Sequence, residues 1–293
     1  MGLSWQQGPL GAAAIGTFLT AVPLPERLLY AEPLRRRMRV TFGGSRVAQS
    51  DDVVLFHEPG RYPVAYFPKT DIADGALHPT DHTSEHPELG RTTWLAVKVG
   101  GHEAPRGAWE HAELPAFASV LSDRVAFAWH AMDAFYEEDE RIVGHAADAY
   151  HRIDIRRTSR ELIVHAADAL VAHTNNAMVL YESGFAPRWY VPREDVNFDL
   201  LNPAQRQTFC PYKGLCSYWH IGEAHHAAWS YLDPYREVDR IAGLVSFEPD
   251  KVTVTLDGVQ QHLPPGQQVI PHGPDRGLTP EEVIDRPAPG ATA

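Results

Sequence analysis

The chain has 293 residues, too many for one small domain and comfortable for two of roughly 100–150 residues each. Hydrophobic residues make up 44% and charged residues 22%, the balance of an ordinary folded protein, and 38 acidic against 26 basic residues give a net charge of −12. That acidity excludes a nucleic-acid binder, which needs a basic face, and an anionic membrane surface as partner.

Residues 1–36 read as an N-terminal extension. No cationic residue precedes the apolar stretch 12–22, and the first base is Arg27, so a secretory signal is not expected. The stretch is also too short to span a membrane. Gly2 opens a myristoylation-like start, but Gln6 stands where that motif wants Ser or Thr. Residues 37–142 form a first β module. Its predicted elements are a hairpin of 39–42 and 46–49 around Gly43-Gly44, an apolar run at 53–57, and a run at 63–67 ending at Pro68. Residues 143–158 join it to a second module, 159–258. There the predicted strands are 161–165, 170–173, 178–181, 188–191, 216–221, 244–247 and 252–256. A short helix is predicted over 234–242, with Asp233 as N-cap, Pro234 as first residue and Gly243 as stop. The last stretch, 259–293, holds seven prolines and four glycines and reads as an extended or disordered tail, expected to be dispensable for folding from about Pro264 onward.

The two modules are copies of each other. Adding 124 to residues 47–90 places 12 of 44 positions on an identical residue without a gap. Among them Glu58 falls on Glu182, Tyr66 on Tyr190, Asp71 on Asp195, Pro87 on Pro211 and Gly90 on Gly214. After four residues are lost, Ala108-Trp109 falls on Ala228-Trp229. A register this long indicates duplication and divergence, and its period is far beyond that of a solenoid. The expected fold is therefore mainly β, two similar compact tent- or barrel-like domains with short helices.

The run from Glu182 to Asp195 (ESGFAPRWYVPRED), the segment Thr208-Phe-Cys-Pro-Tyr-Lys-Gly214, and His145 with Tyr150–Asp154 just ahead resemble the family called domain of unknown function 427. The first copy shows Glu58-Pro-Gly, Tyr66-Phe-Pro-Lys and Asp71. The resemblance covers most of residues 37–258, and Cys-Pro-x-Lys-Gly is its most specific part. It implies a compact β fold and names no function. The family is also labelled nucleotidyltransferase-like, a chemistry that needs carboxylates spaced along a strand to hold magnesium. Asp51-Asp52 after Gly44-Ser45 is the nearest candidate, but adjacent acids on a strand point to opposite faces, and the second copy has Asn175-Asn176 there.

Reactive residues differ between the copies where the turn residues do not. The second copy has Cys210-Pro211-Tyr212-Lys213-Gly214; the first has His86-Pro87-Glu88-Leu89-Gly90. A lysine across a tight turn favours a neighbouring thiolate, which makes Cys210 a candidate nucleophile, Lys213 its activator or an anion clamp, and Glu182 a proton-transfer group. The structural alternative is a small buried Cys210 and an exposed turn lysine. Since the turn keeps Pro and Gly without either, Lys213→Leu is expected to leave stability within about 0.5 kcal/mol. Tyr190, Arg193, Asp195 and Trp229 are candidate ligand contacts, although Asp195 also reads as a turn-forming or arginine-paired acid and the aromatics as core. Cys216 reads as core. His78, His82 and His86 recur every four residues, but Pro79 and Pro87 make the segment a loop and no metal is expected. Two unpaired thiols suit a reducing cytoplasm. Two functions remain: an enzyme acting on a small metabolite through Cys210 and Lys213, with the first module as degenerate scaffold, or a non-catalytic module gripping a small anion. Cofactor and oligomeric state are not indicated.

Overall fold

The computed structural model describes residues 17–25, 27–58, 62–183 and 185–263; the myristoylation-like start and the tail from Pro264 lie outside these. The chain divides into two compact units between Asp148 and Ala149. The first contains β1 (Tyr30–Pro33), β2 (Met38–Phe42), β3 (Ser45–Ser50), β4 (Val54–His57), β5 (Val64–Pro68), β6 (Leu77–His86), β7 (Gly90–Val99), β8 (His102–His111), β9 (Arg124–Phe127), β10 (Ala134–Glu137) and β11 (Glu140–Ile142). The second contains β12 (Ile153–Arg157), β13 (Leu162–Ala166), β14 (Ala169–Thr174), β15 (Met178–Glu182), β16 (Arg188–Val191) and β17 (Leu201–Cys210). It continues with β18 (Gly214–Ile221), β19 (Ala224–Tyr231), β20 (Val245–Phe247), β21 (Thr253–Leu256) and β22 (Val259–Gln260).

Each unit has one seven-stranded and one four-stranded antiparallel sheet. The large sheet runs β1-β4-β5-β9-β8-β7-β6 in the first and β12-β15-β16-β20-β19-β18-β17 in the second; the small sheets are β11-β10-β2-β3 and β14-β13-β21-β22. Both large sheets bury two faces. In β4 all four residues are buried, which an uninterrupted apolar run requires. Leu55, Phe67, Val125 and Phe127 turn toward the small sheet. Val54, Phe56, Tyr66, Trp94 and Trp109 turn the other way, into a second core closed by the 3-10 helix Ala116–Leu121. In the second unit that second core holds Tyr190, Cys216, Tyr231, Val238 and Ile241. The candidate site grows out of this face.

Registers repeat as the sequence offset requires. Tyr30 opposite His57 recurs as Asp154 opposite Tyr181, and the irregularity between Pro79 and Thr83 recurs between Pro203 and Gln207. The four lost residues are accounted for by β7 and β8, of ten residues each, shrinking to eight each in β18 and β19. Removing two residues per strand preserves which face every side chain occupies.

The differences from expectation have local causes. The stretch read as a linker contributes β12, and the extension contributes β1; both are edge strands too short and polar for a periodic signal. The helix expected over 234–242 is the six-residue 3-10 helix Arg236–Ile241, preceded by Tyr235 with no side-chain cap and interrupted at Val238. Asp233 and Pro234 lie before it. Residues 77–86, read as loop because of Pro79 and Pro87, form the edge strand β6. An edge strand tolerates a proline because its N–H is not needed by a neighbour.

Candidate functional site

The turn that carries Cys210 and Lys213 joins β17 to β18. Cys210 pairs with Gly214, the Lys213 N–H donates to the Cys210 carbonyl, and Gly214 has φ +93°. This is a three-residue hairpin loop closed by a left-handed residue, a conformation that favours glycine. Gly90, with φ +78°, closes the same loop in the first module. The shared glycine is thus a backbone requirement, and the variable residues are free to differ.

Lys213 is buried, contrary to the exposed turn position expected of it. Its ammonium lies 2.5 Å from both carboxylate oxygens of Glu182, at the end of β15. His151 Nε2 lies 2.8 Å from Glu182 Oε1, and the His151 ring stacks on Tyr212 at 3.9 Å. Burial penalises the ionised carboxyl, but Lys213 and His151 more than offset this and hold Glu182 down at about 2. Burial likewise opposes the charge on Lys213, and Glu182 overcomes it, so the lysine stays cationic well above its ordinary range. The ammonium is therefore committed to Glu182.

The residues around this ion cluster line the same face of the sheet. Trp229 Nε1 donates to the Tyr190 hydroxyl at 3.3 Å. Thr208 and Tyr218 share a hydroxyl contact at 2.8 Å. Cys216 is buried, which pushes its thiol up to about 11, whereas Cys210 is partly exposed. The two cysteines are diagonal neighbours on the hairpin, about 7–8 Å apart by ordinary sheet geometry, too far for a disulfide without backbone movement.

The sequence-predicted residues are thus only partly brought together. Cys210, Lys213, Glu182, Tyr190 and Trp229 share one face. Arg193 and Asp195 do not join them: the Arg193 guanidinium stacks on Phe198 at 4.1 Å, and Asp195 accepts from Thr174 Oγ1 at 2.6 Å. Both fasten the 3-10 turn Arg193–Asp195 beside β14, on the side of the other core. Arg188, at the start of β16, pairs with Glu248 at 3.2 Å. Sequence reading missed His151, Tyr231 and Ser246. The signal for His151 lay in the same offset, since it falls on Arg27.

That correspondence revises the picture of the first module. Glu58, the counterpart of Glu182, is held by the Arg27 guanidinium and lies 3.5 Å from His86 Nε2. The cation comes from the hairpin turn in the second module and from the segment before β1 in the first; the imidazole comes from the opposite side in each. The first module has exchanged the two partners rather than lost them. Glu58, His86 and Glu88 also approach as a metal set would, with donor atoms within 4.8 Å. Yet Arg27 already bridges the two acids, and His86 Nδ1 accepts the backbone N–H groups of Glu88 and Leu89, both at 3.2 Å. A neutral imidazole so bound carries its proton on Nε2, facing Glu58, and offers no lone pair to a cation there.

The modules differ in closure. His86, Trp94 and Trp109 are buried at 2%, 1% and 0% exposure. Their counterparts Cys210, Tyr218 and Trp229 are all partly exposed. Fold and site together define a duplicated β-module protein in which matched side chains are buried in the first module and partly exposed in the second. The chain belongs to the family described as domain of unknown function DUF427, which matches residues 30–138 and 154–258. No curated protein matches it. No helix among the described residues is long and apolar enough to cross a membrane.

Proposed function

We propose that the second module is the working site, a pocket for a small metabolite in which Cys210 is the reactive group. The observation that supports this reading is the contrast in exposure at three matched positions: His86, Trp94 and Trp109 are buried in the first module, whereas Cys210, Tyr218 and Trp229 are partly exposed in the second. Glu182, Lys213 and His151 form a charge-compensated floor that fixes the hairpin turn and so positions Cys210. Tyr190, Tyr218 and Trp229 are its aromatic walls, and the first module is scaffold. The alternative of a non-catalytic anion grip is less well supported, because Lys213 is held by Glu182 and Arg193 lies over Phe198. The two unpaired thiols support a reducing, cytoplasmic setting for this site.

Iodoacetamide on the folded protein tests the reading. Cys210 is expected to be alkylated while Cys216, buried and with a raised pKa, stays unmodified below about pH 10. Peptide mapping that found Cys216 labelled as fast as Cys210, or neither labelled until denaturation, would remove the basis for an open thiol site.

A further inference from the structure

On the face of the large sheet that carries Tyr190, the Ser246 and Tyr190 hydroxyls lack hydrogen-bond acceptors among the described residues, where the first module either supplies the acceptor or does without the hydroxyl. Ser246, in β20, is 1% exposed, and its Oγ has no hydrogen-bond partner among the described residues. It lies directly opposite Tyr190 on one side and Trp229 on the other, so all three side chains project from the same face. The counterpart in the first module, opposite Tyr66 and Trp109, is Ala126.

The tyrosine differs in the same sense. Tyr66 accepts from Trp109 Nε1 at 3.3 Å, and its oxygen is 2.9 Å from His111 Nε2, which can take its proton. Tyr190 keeps the tryptophan bond, but His111 is replaced by Tyr231, and no described residue accepts the Tyr190 proton. Burial drives the Tyr190 phenol far above its ordinary range, so it remains a donor at any physiological pH. An orphaned buried hydroxyl destabilises a fold, because it gives up its hydrogen bonds to water and regains none. The first module avoids that penalty at both positions, which shows that the fold does not require it.

We propose that Tyr190 and Ser246 form an acceptor-oxygen subsite, and that the ligand of the second module presents a carbonyl or carboxamide oxygen on a flat apolar body held between the aromatic walls. This rests on the reading of the second module as a small-molecule pocket and narrows the class of molecule it takes.

The test uses the full chain and two probes, benzamide and toluene, followed by saturation-transfer NMR. Both share the ring, and only benzamide offers an acceptor oxygen. Benzamide is expected to bind the wild type, and its affinity to fall roughly ten-fold in Ser246→Ala and in Tyr190→Phe, with toluene binding unchanged. Ser246→Ala, which installs the residue of the first module, is expected to melt no lower than wild type. Benzamide binding that is the same in wild type and both variants overturns the subsite while leaving the pocket. A Ser246→Ala protein that melts several degrees lower also overturns it, because the hydroxyl then has a structural partner. If neither probe binds the wild type, the pocket itself is refuted.

Discussion

Lys213→Leu is expected to destabilise the second module by about 3–5 kcal/mol, the usual consequence of removing one partner from a buried ion pair. Leucine is the residue the first module tolerates at the same turn position, Leu89, so neither the turn nor the packing forbids it. What forbids it is Glu182, left with His151 as its remaining partner in a site where Lys213 supplied the cation. The first module shows how the loss can be met: its carboxylate takes its cation from Arg27, at the position of His151. Adding His151→Arg to Lys213→Leu is therefore expected to recover most of the lost stability, read as a denaturation midpoint with an unchanged slope. If Lys213→Leu alone shifts the midpoint by less than about 0.5 kcal/mol, the lysine is a surface residue in solution. If the double variant recovers nothing, the exchange of partners between modules is wrong.

The second large effect is one of pH. Glu182 has its pKa lowered from 4.5 to about 2, so it contributes stability that is fully present above its unfolded value and lost as pH falls toward about 2. A shift of that size corresponds to about 3 kcal/mol. Glu182→Gln should accordingly cost about that much at pH 7, and the gap to wild type should narrow steadily below pH 4.5. Urea denaturation of both proteins at pH 7, 4 and 2.5 reads this directly. A gap that is constant with pH would show that Glu182 is not ionised against Lys213 in the folded chain.

How much of this was legible in the sequence follows from what a single chain records. The duplication, the hairpin turns and the short apolar strands such as β4 and β16 leave local patterns, and the 124-residue offset supplied the register from which the two folds match. Strands β6 and β17 left none, because an edge strand with one wet face and a proline looks like a loop. The site divides in the same way. Cys210 and Lys213 were visible because the copies differ there while the turn around them persists, and Glu182 because both copies keep it. The burial of Lys213 was not, since a turn lysine gives no sign that a carboxylate 31 positions upstream reaches it. Arg193 and Asp195 lie away from the other candidates: Asp195 is identical in both copies and Arg193 stands over Lys69, and residues kept in both copies can serve the fold, as the contacts of Arg193 with Phe198 and of Asp195 with Thr174 do here. Ser246 was passed over because a serine in a strand carries no signal until its neighbours are known.

The proposed site stands on one asymmetry, side chains partly exposed in the second module whose counterparts in the first are buried. Hydroxyl-radical footprinting of the native protein measures it within a single sample, by comparing Trp229 with Trp109 and Tyr218 with Trp94. The predicted result is rapid oxidation of Trp229 and Tyr218, with Trp109 and Trp94 protected at 0% and 1% exposure. Equal protection of both pairs, or oxidation of the first-module tryptophans at the same rate, would contradict it.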